Sequence, residues 1–291
     1  MSIYNFLPDQ ICDDKKNAGF FCFIYKNPLS CGAVIIIALV FLMAVFGPVL
    51  SPHDPLKTDM SLRLSAPSPE YPFGNDTLGR CVFSRVLSGA RMSIGLGISI
   101  VVITCFLGVL VGLIAGYRGG LIDELLMRIA DIFLSLPEIV AAMTLAGILG
   151  PGTYNLVFAF SVTGWMRYAR LVRGITLSVK EQDYVKLAQY SGVSRTMIII
   201  RHILPANIGP IIVLATIGMA KAVISVSALG FLGFGVQPPN PEWGTLLMEG
   251  KDYILSAPHL SIYPGIAIML SALAFNLLGD NLRDFWDLKK L

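Results

Sequence analysis

The chain has 291 residues, of which 55% are hydrophobic and only 14% carry a charged side chain. Soluble domains carry about 25% charged residues, so a soluble protein of this composition would have a poorly hydrated surface. A bilayer removes that difficulty, because exposed apolar side chains then face lipid. The net charge of +3 is too small to favour nucleic acid as a partner. The composition therefore predicts an integral membrane protein with membrane lipid around it and no nucleic-acid partner.

Six apolar segments are long enough to cross a bilayer, and they predict an all-α membrane protein with about six transmembrane helices. They are residues 31–50, 93–117, 125–149, 155–175, 207–235 and 259–279. The first follows a polar tail, residues 1–30, and has the full length of a crossing. We therefore interpret it as a retained helix and not as a signal peptide. Asp131, Glu138 and Arg167 interrupt the third and fourth segments.

The distribution of Lys and Arg predicts the orientation in the membrane. Six crossings place both termini on one side, where the connecting segments hold 13 of the 22 Lys and Arg residues, against 6 on the other side. The dense basic cluster that begins at Arg170 decides the orientation. The tails 1–30 and 281–291 are therefore predicted to be cytoplasmic and the loop 51–92 extracytoplasmic, with the transmembrane core in 93–280.

A polar loop, residues 176–206, separates the fourth and fifth predicted crossings and carries several helix signals. Ser178 and Glu181 have the spacing of a capping box, which predicts a short helix after them. Gly192 is predicted to take the left-handed conformation that ends this helix. One mostly small or apolar stripe runs along the helix, formed by Tyr184, Leu187, Ala188 and Ser191.

A second short helix is predicted to follow, capped by Ser194 and closed by Pro205. The residues alone leave two interpretations of this helix pair open. One is an amphipathic helix that lies on lipid headgroups, and the other is a docking element for a soluble partner.

The same loop resembles the EAA loop of ABC importer permeases. The resemblance rests on Tyr184-Val-Lys-Leu-Ala-Gln-Tyr-Ser-Gly192 and on Ile203-Leu-Pro205 after a spacer. Lys186 stands where the family has Glu, whereas Ala188 and Gly192 match. In that family the loop forms a coupling helix seated in a groove of the ATPase subunit. The residues that the resemblance assigns to coupling are Glu181, Tyr184, Lys186, Leu187, Ala188, Gly192, Ile203 and Pro205.

Further motifs resemble the branch of these permeases that imports dipeptides, oligopeptides and nickel. They run from about residue 48 to the C-terminus and together are highly specific. Asn75 and Cys81 replace the family's Thr and Asp. The matching segments are Pro52-His-Asp-Pro55, Phe73-Gly-Asn-Asp76, Leu78-Gly-Arg80, Phe83-Ser-Arg85, Gly89-Ala-Arg-Met-Ser93, Phe231-Leu-Gly-Phe-Gly235, Gln237-Pro-Pro-Asn-Pro-Glu-Trp-Gly244, Phe275-Asn-Leu-Leu-Gly-Asp280 and Leu282-Arg-Asp284.

This resemblance implies a type I ABC importer permease core in a bacterial plasma membrane. It also implies three kinds of protein partner: a second related permease, two ATP-binding subunits and an extracytoplasmic solute-binding protein. ATP and magnesium are expected on the ATP-binding subunits, because this sequence lacks the G-x-x-x-x-G-K-[ST] phosphate-binding motif. The chain itself is therefore expected to be no enzyme. The implied substrate is a peptide, nickel or a metal chelate, with selectivity set largely by the binding protein.

Two charged side chains within the predicted crossings are candidates for the translocation path. Glu138 follows Pro137, where a kink would open a polar lumen. Lys221 either lines the path, snorkels to the membrane surface or pairs with a neighbouring subunit. For Asp131 the alternative to a path role is an ion pair with Arg128, three residues earlier on the same helix.

No cofactor or metal site is expected on this chain. The five cysteines show neither a CxxC motif nor a paired spacing. The three histidines lie in different segments, whereas a metal site needs ligands that converge.

Glycine occupies every fourth position in one part of the second predicted crossing, at Gly108, Gly112 and Gly116. Such a line of small residues lets two helices approach closely in a membrane. We interpret it as a packing surface without a chemical role.

Two other function classes stay open on the residues alone. An ion-coupled secondary transporter predicts inverted repeats and several carboxylates near the midplane, and no convincing repeat is seen. An intramembrane hydrolase needs a Ser/His or metal constellation at helix depth, and none is evident.

Overall fold

The computed structural model describes residues 28–288, and within this range the regular elements are helices with no strand. The first five helices are α1 (Pro28–Leu50), α2 (Val82–Arg118), α3 (Gly120–Leu134), α4 (Glu138–Leu149) and α5 (Thr153–Lys180). The others are α6 (Asp183–Tyr190), α7 (Arg195–Ile198), α8 (Leu204–Phe231), α9 (Trp243–Gly250) and α10 (His259–Leu288). A π-helical turn, Ile199–Ile203, joins α7 to α8. The predicted N-terminal tail lies largely outside the described residues.

About six segments of this fold can cross a membrane. Four are long and apolar enough by themselves: α1, α2, the continuous segment from α7 to α8, and α10. The pair α3 and α4 forms a fifth segment with a bend of 88°. Helix α5 has 28 residues and a length of about 42 Å, enough for a crossing, but its arginines make it less apolar. The fold confirms an all-α membrane protein.

The most extensive helix pairing joins α2 to α5, and the glycine line lies in this contact. A Cβ atom at Gly112 would lie 2.6 Å from the carbonyl oxygen of Ala169, and one at Gly116 would lie 2.8 Å from the Cβ of Thr176. Real side chains do not approach so closely, so the two backbones meet only because these positions lack a side chain. The interpretation of the glycine line as a packing surface is confirmed.

Residues 51–81 and 232–258 pack together at one end of the bundle, and we call this unit the cap. Its centre is an ion-pair network in which Arg80 Nε lies 2.6 Å from Asp76 Oδ2. The Nη2 atoms of Arg80 and Arg85 each lie 2.9 Å from Glu249 Oε2. Arg85 is completely buried. Burial of these charges is tolerated because each cation meets a carboxylate.

A second buried carboxylate, Glu242, attaches the cap to α2. Its oxygens accept hydrogen bonds from the Ser93 hydroxyl and from the backbone amides of Gly244 and Thr245, each at 2.9 Å. Burial raises the pKa of Glu242, while these hydrogen bonds favour its ionised form. The adjacent Trp243 is fully buried, and its Nε1 donates to the Val86 carbonyl at 3.0 Å.

The helix ends differ from three predicted boundaries. The loop 51–92 ends earlier, because α2 begins at Val82. The predicted tail 281–291 is helical as far as Leu288. The predicted crossing 125–149 is interrupted at residues 135–137, where Pro137 lacks the amide hydrogen that would continue α3.

We expect Gly112→Ala to destabilise the protein by about 1–3 kcal/mol, since the added methyl group forces α2 and α5 apart. The matched control is Gly95→Ala on the same helix, where a Cβ would have no neighbour within 4 Å. That change should be neutral or stabilising by up to about 1 kcal/mol. Thermal unfolding of the two variants in detergent gives the comparison, and equal melting temperatures would show that the α2–α5 contact is loose.

Candidate functional site

A cavity of about 80 Å³ lies where α3 breaks and α4 begins. Its walls come from α2, α4, α5 and α8, and apolar and polar side chains line it in about equal number. Glu138 is the first residue of α4. The bend at Pro137 therefore places a carboxylate at the helix start, beside the cavity and not on the outer surface of the bundle.

Glu138 meets two cations at this point. Lys221 Nζ lies 2.5 Å from Glu138 Oε2, and the same oxygen accepts a hydrogen bond from Arg167 Nη2. The three side chains line the cavity and are partly buried. The structure thus brings together both path residues predicted from the sequence. One carboxylate with two cations leaves the site with a net positive charge.

Arg167 was not singled out as a site residue by the sequence reasoning. The available signal was its position as the arginine that interrupts an apolar segment, because a charge within a membrane helix needs a partner. Its partner lies 29 positions away in the sequence, and sequence spacing gives no indication of that pairing.

Arg167 is the first of three arginines spaced three residues apart on α5, and each pairs with an acid on α3 or α4. Arg170 donates to Asp131. Arg173 Nε lies 2.5 Å from Asp123 Oδ1. Three ion pairs therefore hold the broken helix pair α3–α4 against α5, and we call them the ion-pair ladder.

The ladder corrects the expected pairing of Arg128 with Asp131. Arg128 instead lies 3.8 Å from Glu124, and both side chains are exposed. The i, i+3 spacing permitted the predicted pair, but Asp131 accepts a hydrogen bond from Arg170 of the adjacent α5.

A larger cavity, of about 510 Å³, lies beside the first one. Arg167, Leu214 and Ile217 line both. The larger cavity extends along α5 and α8 towards Trp286 of α10. The two cavities therefore adjoin along these helices, and the smaller one reaches the ion-paired Glu138.

The loop 176–206 contains the helix pair predicted for it, with α6 followed by a turn at Gly192. The backbone of Gly192 has φ +78°, which confirms the predicted left-handed conformation. Ser194 caps the next helix, with its hydroxyl accepting from the Met197 amide at 3.4 Å. The loop geometry therefore follows from local signals.

The predicted capping box is wrong, because α5 continues through Ser178 to Lys180. Glu181 lies just after the end of α5 and forms an ion pair of 2.9 Å with Lys186. The hydrogen bond from Lys186 lowers the pKa of Glu181. Lys186, which departs from the EAA pattern, thus has a partner within the loop.

The predicted stripe on α6 divides between two environments. Tyr184, Leu187 and Tyr190 are 51%, 68% and 87% exposed. Ala188 is half-buried and packs against a small core that includes the fully buried Val185. The exposed face of α6 is therefore aromatic and aliphatic, whereas Ala188 belongs to the inner face.

Pro205 does not close a helix, contrary to the prediction. Ile203 is fully buried in the same small core as Val185, and Pro205 lies in the first turn of α8. The π-helical turn occurs immediately before Pro205, which has no amide hydrogen for an α-helical bond to Arg201. The chain therefore continues from the loop directly into a membrane-crossing helix.

The histidines take structural positions. His53 stacks on Tyr71 with ring centres 4.6 Å apart, and His259 Nε2 lies 3.3 Å from the Asn75 carbonyl oxygen. Among residues 28–288, no group of three or more His, Cys, Asp or Glu side chains is placed to hold a metal ion.

Comparison with known proteins identifies the family. Residues 108–290 match the family model for the binding-protein-dependent transport system inner membrane component. Residues 24–67 match the N-terminal transmembrane domain of oligopeptide transport permease C. The chain belongs to this family of ABC importer permeases. It is thus a multi-pass inner-membrane transport subunit, and the ion-coupled alternative receives no support.

Individual relatives cover most of the chain. The dipeptide transport system permease protein DppC of Alkalihalophilus pseudofirmus is 42% identical over 91% of this chain and 87% of its own length. The probable D,D-dipeptide transport system permease protein DdpC of Escherichia coli is 41% identical over 90% and 88%. The glutathione transport system permease protein GsiD of Pectobacterium atrosepticum is 39% identical over 91% and 88%.

We expect Glu138→Gln to lower the free energy of unfolding by about 1–2 kcal/mol. Arg167 and Lys221 would lose their shared carboxylate and repel each other, although their partial exposure reduces the cost. Adding Lys221→Met should restore part of the loss, because one of the two like charges is removed. Thermal unfolding in detergent measures both effects.

The control for this measurement is Glu124→Gln, which removes only the exposed carboxylate beside Arg128 and should leave the melting temperature unchanged. An equal loss of stability in the Glu124 and Glu138 variants would contradict the assigned role of Glu138.

Proposed function

We propose that this chain is a permease subunit through which an ATP-driven importer moves short peptides or peptide-like compounds. Relatives of 39–42% identity are named for dipeptide and glutathione transport, which supports this substrate class. Nickel and metal chelates, the other substrates of the resembling branch, have less support, since no relative compared above is named for them.

The proposed path is the pair of connected cavities along α5 and α8. It has apolar walls and one fixed polar site, formed by Glu138, Arg167 and Lys221. Such a site can hold the charged termini of a peptide while apolar walls accept side chains of different size. Both cavities are open at one side, which a second, related permease would complete.

The observation that carries the ATP-driven mechanism is the exposed apolar face of α6. Tyr184, Leu187 and Tyr190 present a large apolar surface on a helix of only eight residues. Exposed patches of this kind mark interaction sites. We propose that this face docks into a groove of one of two separate ATP-binding subunits, which carry ATP and magnesium.

The arrangement of the helices suggests how docking is transmitted. The loop joins α5 on one side and continues into α8 on the other, and these two helices form the cavity walls. Movement of α6 by the ATP-binding subunits would therefore shift both walls together. Such a rigid-body movement would open the path alternately to the two sides of the membrane.

The cap lies at the opposite end of α2 from the loop 176–206, since Val86 contacts Trp243 and Tyr117 contacts Lys180. With the loop on the cytoplasmic side, the cap is extracytoplasmic and the described chain begins inside. We propose that the cap receives substrate from an extracytoplasmic solute-binding protein.

The experiment compares uptake and assembly in one set of variants. Cells that express the complete importer are supplied with a radiolabelled dipeptide such as Ala-Ala, and the complex is purified through the permease. We expect Leu187→Glu to remove the ATP-binding subunits from the purified complex and to abolish uptake, because a charge replaces an apolar contact.

Two further variants refine this test. Gly192→Val has space for the new side chain but forces a β-branched residue into φ +78°, at a cost of at least about 1 kcal/mol, and it should re-aim α6 and impair assembly. Leu255→Glu places the same charge on the fully exposed Leu255 of the cap, so the ATP-binding subunits should still copurify. Ala188→Glu is less informative, since its target is half-buried.

The outcomes distinguish a failure of the docking proposal from a failure of the substrate proposal. Copurification of the ATP-binding subunits with Leu187→Glu at matched permease abundance would contradict docking through α6. Uptake of Ni²⁺ but of no peptide by the unmodified importer would contradict the proposed substrate class alone.

A further inference from the structure

Three basic side chains from three helices converge on one cavity at the end of the bundle opposite the cap. The cavity measures about 490 Å³. Arg118 lies at the end of α2, Lys180 at the end of α5 and Arg195 at the start of α7, and all three line the cavity. Gln189 of α6 adds an amide, and no carboxylate lines the cavity. We call this cavity the basic pocket.

Two acidic side chains at this end of the bundle form ion pairs with cations that do not line the pocket. Asp123 pairs with Arg173 and Glu181 pairs with Lys186. Like charges that converge without a carboxylate repel one another, and this repulsion is relieved when an anion binds between them.

Of the three basic side chains in the pocket, Lys180 is held by contacts within the protein, whereas Arg118 and Arg195 are exposed to solvent. Lys180 Nζ donates to the Tyr117 carbonyl at 3.0 Å and lies 5.7 Å from the centre of the Tyr117 ring. Arg118 and Arg195 are exposed and form no ion pair with a residue of the described range. Guanidinium groups bind phosphate oxygens in pairs, so a phosphate group matches the chemistry of the pocket.

We propose that the basic pocket binds the phosphate group of an anionic phospholipid. The pocket lies where two membrane helices end, which is the depth of lipid headgroups. Exposed apolar side chains flank it: Ile114 lies one helical turn before Arg118, and Leu121 follows three residues after it. Acyl chains of a lipid can lie along this apolar surface, whereas an inorganic phosphate ion has no apolar part that would contact it.

Lipid at this site joins three parts of the molecule. The headgroup contacts the ends of α2 and α5, while Gln189 and Val193 of the loop 176–206 line the same pocket. A bound anion therefore fixes the loop that carries α6 against the membrane helices. ATP hydrolysis by the complete importer then depends on anionic lipid, whatever its substrate.

The test uses the complete importer purified in detergent and placed in nanodiscs of phosphatidylcholine, with or without phosphatidylglycerol. Native mass spectrometry counts retained phosphatidylglycerol, and ATP hydrolysis is measured in parallel. In Arg118→Gln/Arg195→Gln we expect phosphatidylglycerol affinity to fall by about tenfold or more and the lipid dependence of hydrolysis to disappear.

The control variant Arg63→Gln/Arg91→Gln removes two exposed charges from the region of the cap and should retain the lipid. Equal melting temperatures of the two variants in phosphatidylcholine alone establish that both are folded. Inorganic phosphate is the second probe: stimulation by phosphate without phosphatidylglycerol would overturn the lipid assignment. Equal phosphatidylglycerol retention by the two variants would overturn the site itself.

Discussion

The hydrocarbon of a bilayer offers no partner to an ionised side chain, so charges in membrane helices must find each other within the protein. This constraint organises the core of the present structure. Three arginines on α5 face three acids on α3 and α4, and Lys221 of α8 adds a fourth cation. The ladder fixes which helices are neighbours, because each charge is costly in any arrangement that separates it from its partner.

The break at Pro137 allows Glu138 to meet the requirement that a charge in a membrane helix has a partner within the protein. A straight helix through residues 120–149 would carry Glu138 further along the direction of α3. The bend of 88° instead starts α4 beside α5 and α8, where Arg167 and Lys221 meet the carboxylate. The pairing of partly buried charges thus also creates the polar site of the proposed path. The same helix α5 leads to the loop that carries α6, so the proposed path and the proposed docking surface share this helix.

Features set by local chemistry were predictable from the sequence. The apolar segments predicted the membrane helices. Gly192 predicted the left-handed turn and Ser194 predicted the helix cap, and the structure has both. The EAA-like and branch-specific motifs gave the family. Each of these signals lies within a few residues or within one apolar run, where propensity and periodicity act directly.

Features that depend on distant partners were missed. Arg80 and Arg85 give the sequence around the start of α2 the character of a polar loop, but both form ion pairs with Glu249, more than 160 positions away. Ser178 satisfied the capping pattern, yet α5 packs against α2 as far as its last turns and overrides that local signal. The spacing allowed Asp131 to pair with Arg128 on its own helix, but Asp131 pairs with Arg170 of α5. In each case the local sequence was compatible with two structures, and contacts with residues distant in the sequence determine which one forms.

The central claim is that the cavity along α5 and α8 is a path whose access alternates with the state of the ATP-binding subunits. Leu214 lines both cavities, so a cysteine at this position reports on that access in a background without native cysteines. In inside-out vesicles that contain the complete importer, a membrane-impermeant maleimide should label Leu214→Cys without nucleotide. Trapping with ATP and vanadate should protect it, while Leu121→Cys, exposed just after the cytoplasmic end of α2, should show no dependence on nucleotide. Labelling of Leu214→Cys that is the same in both states would contradict the account.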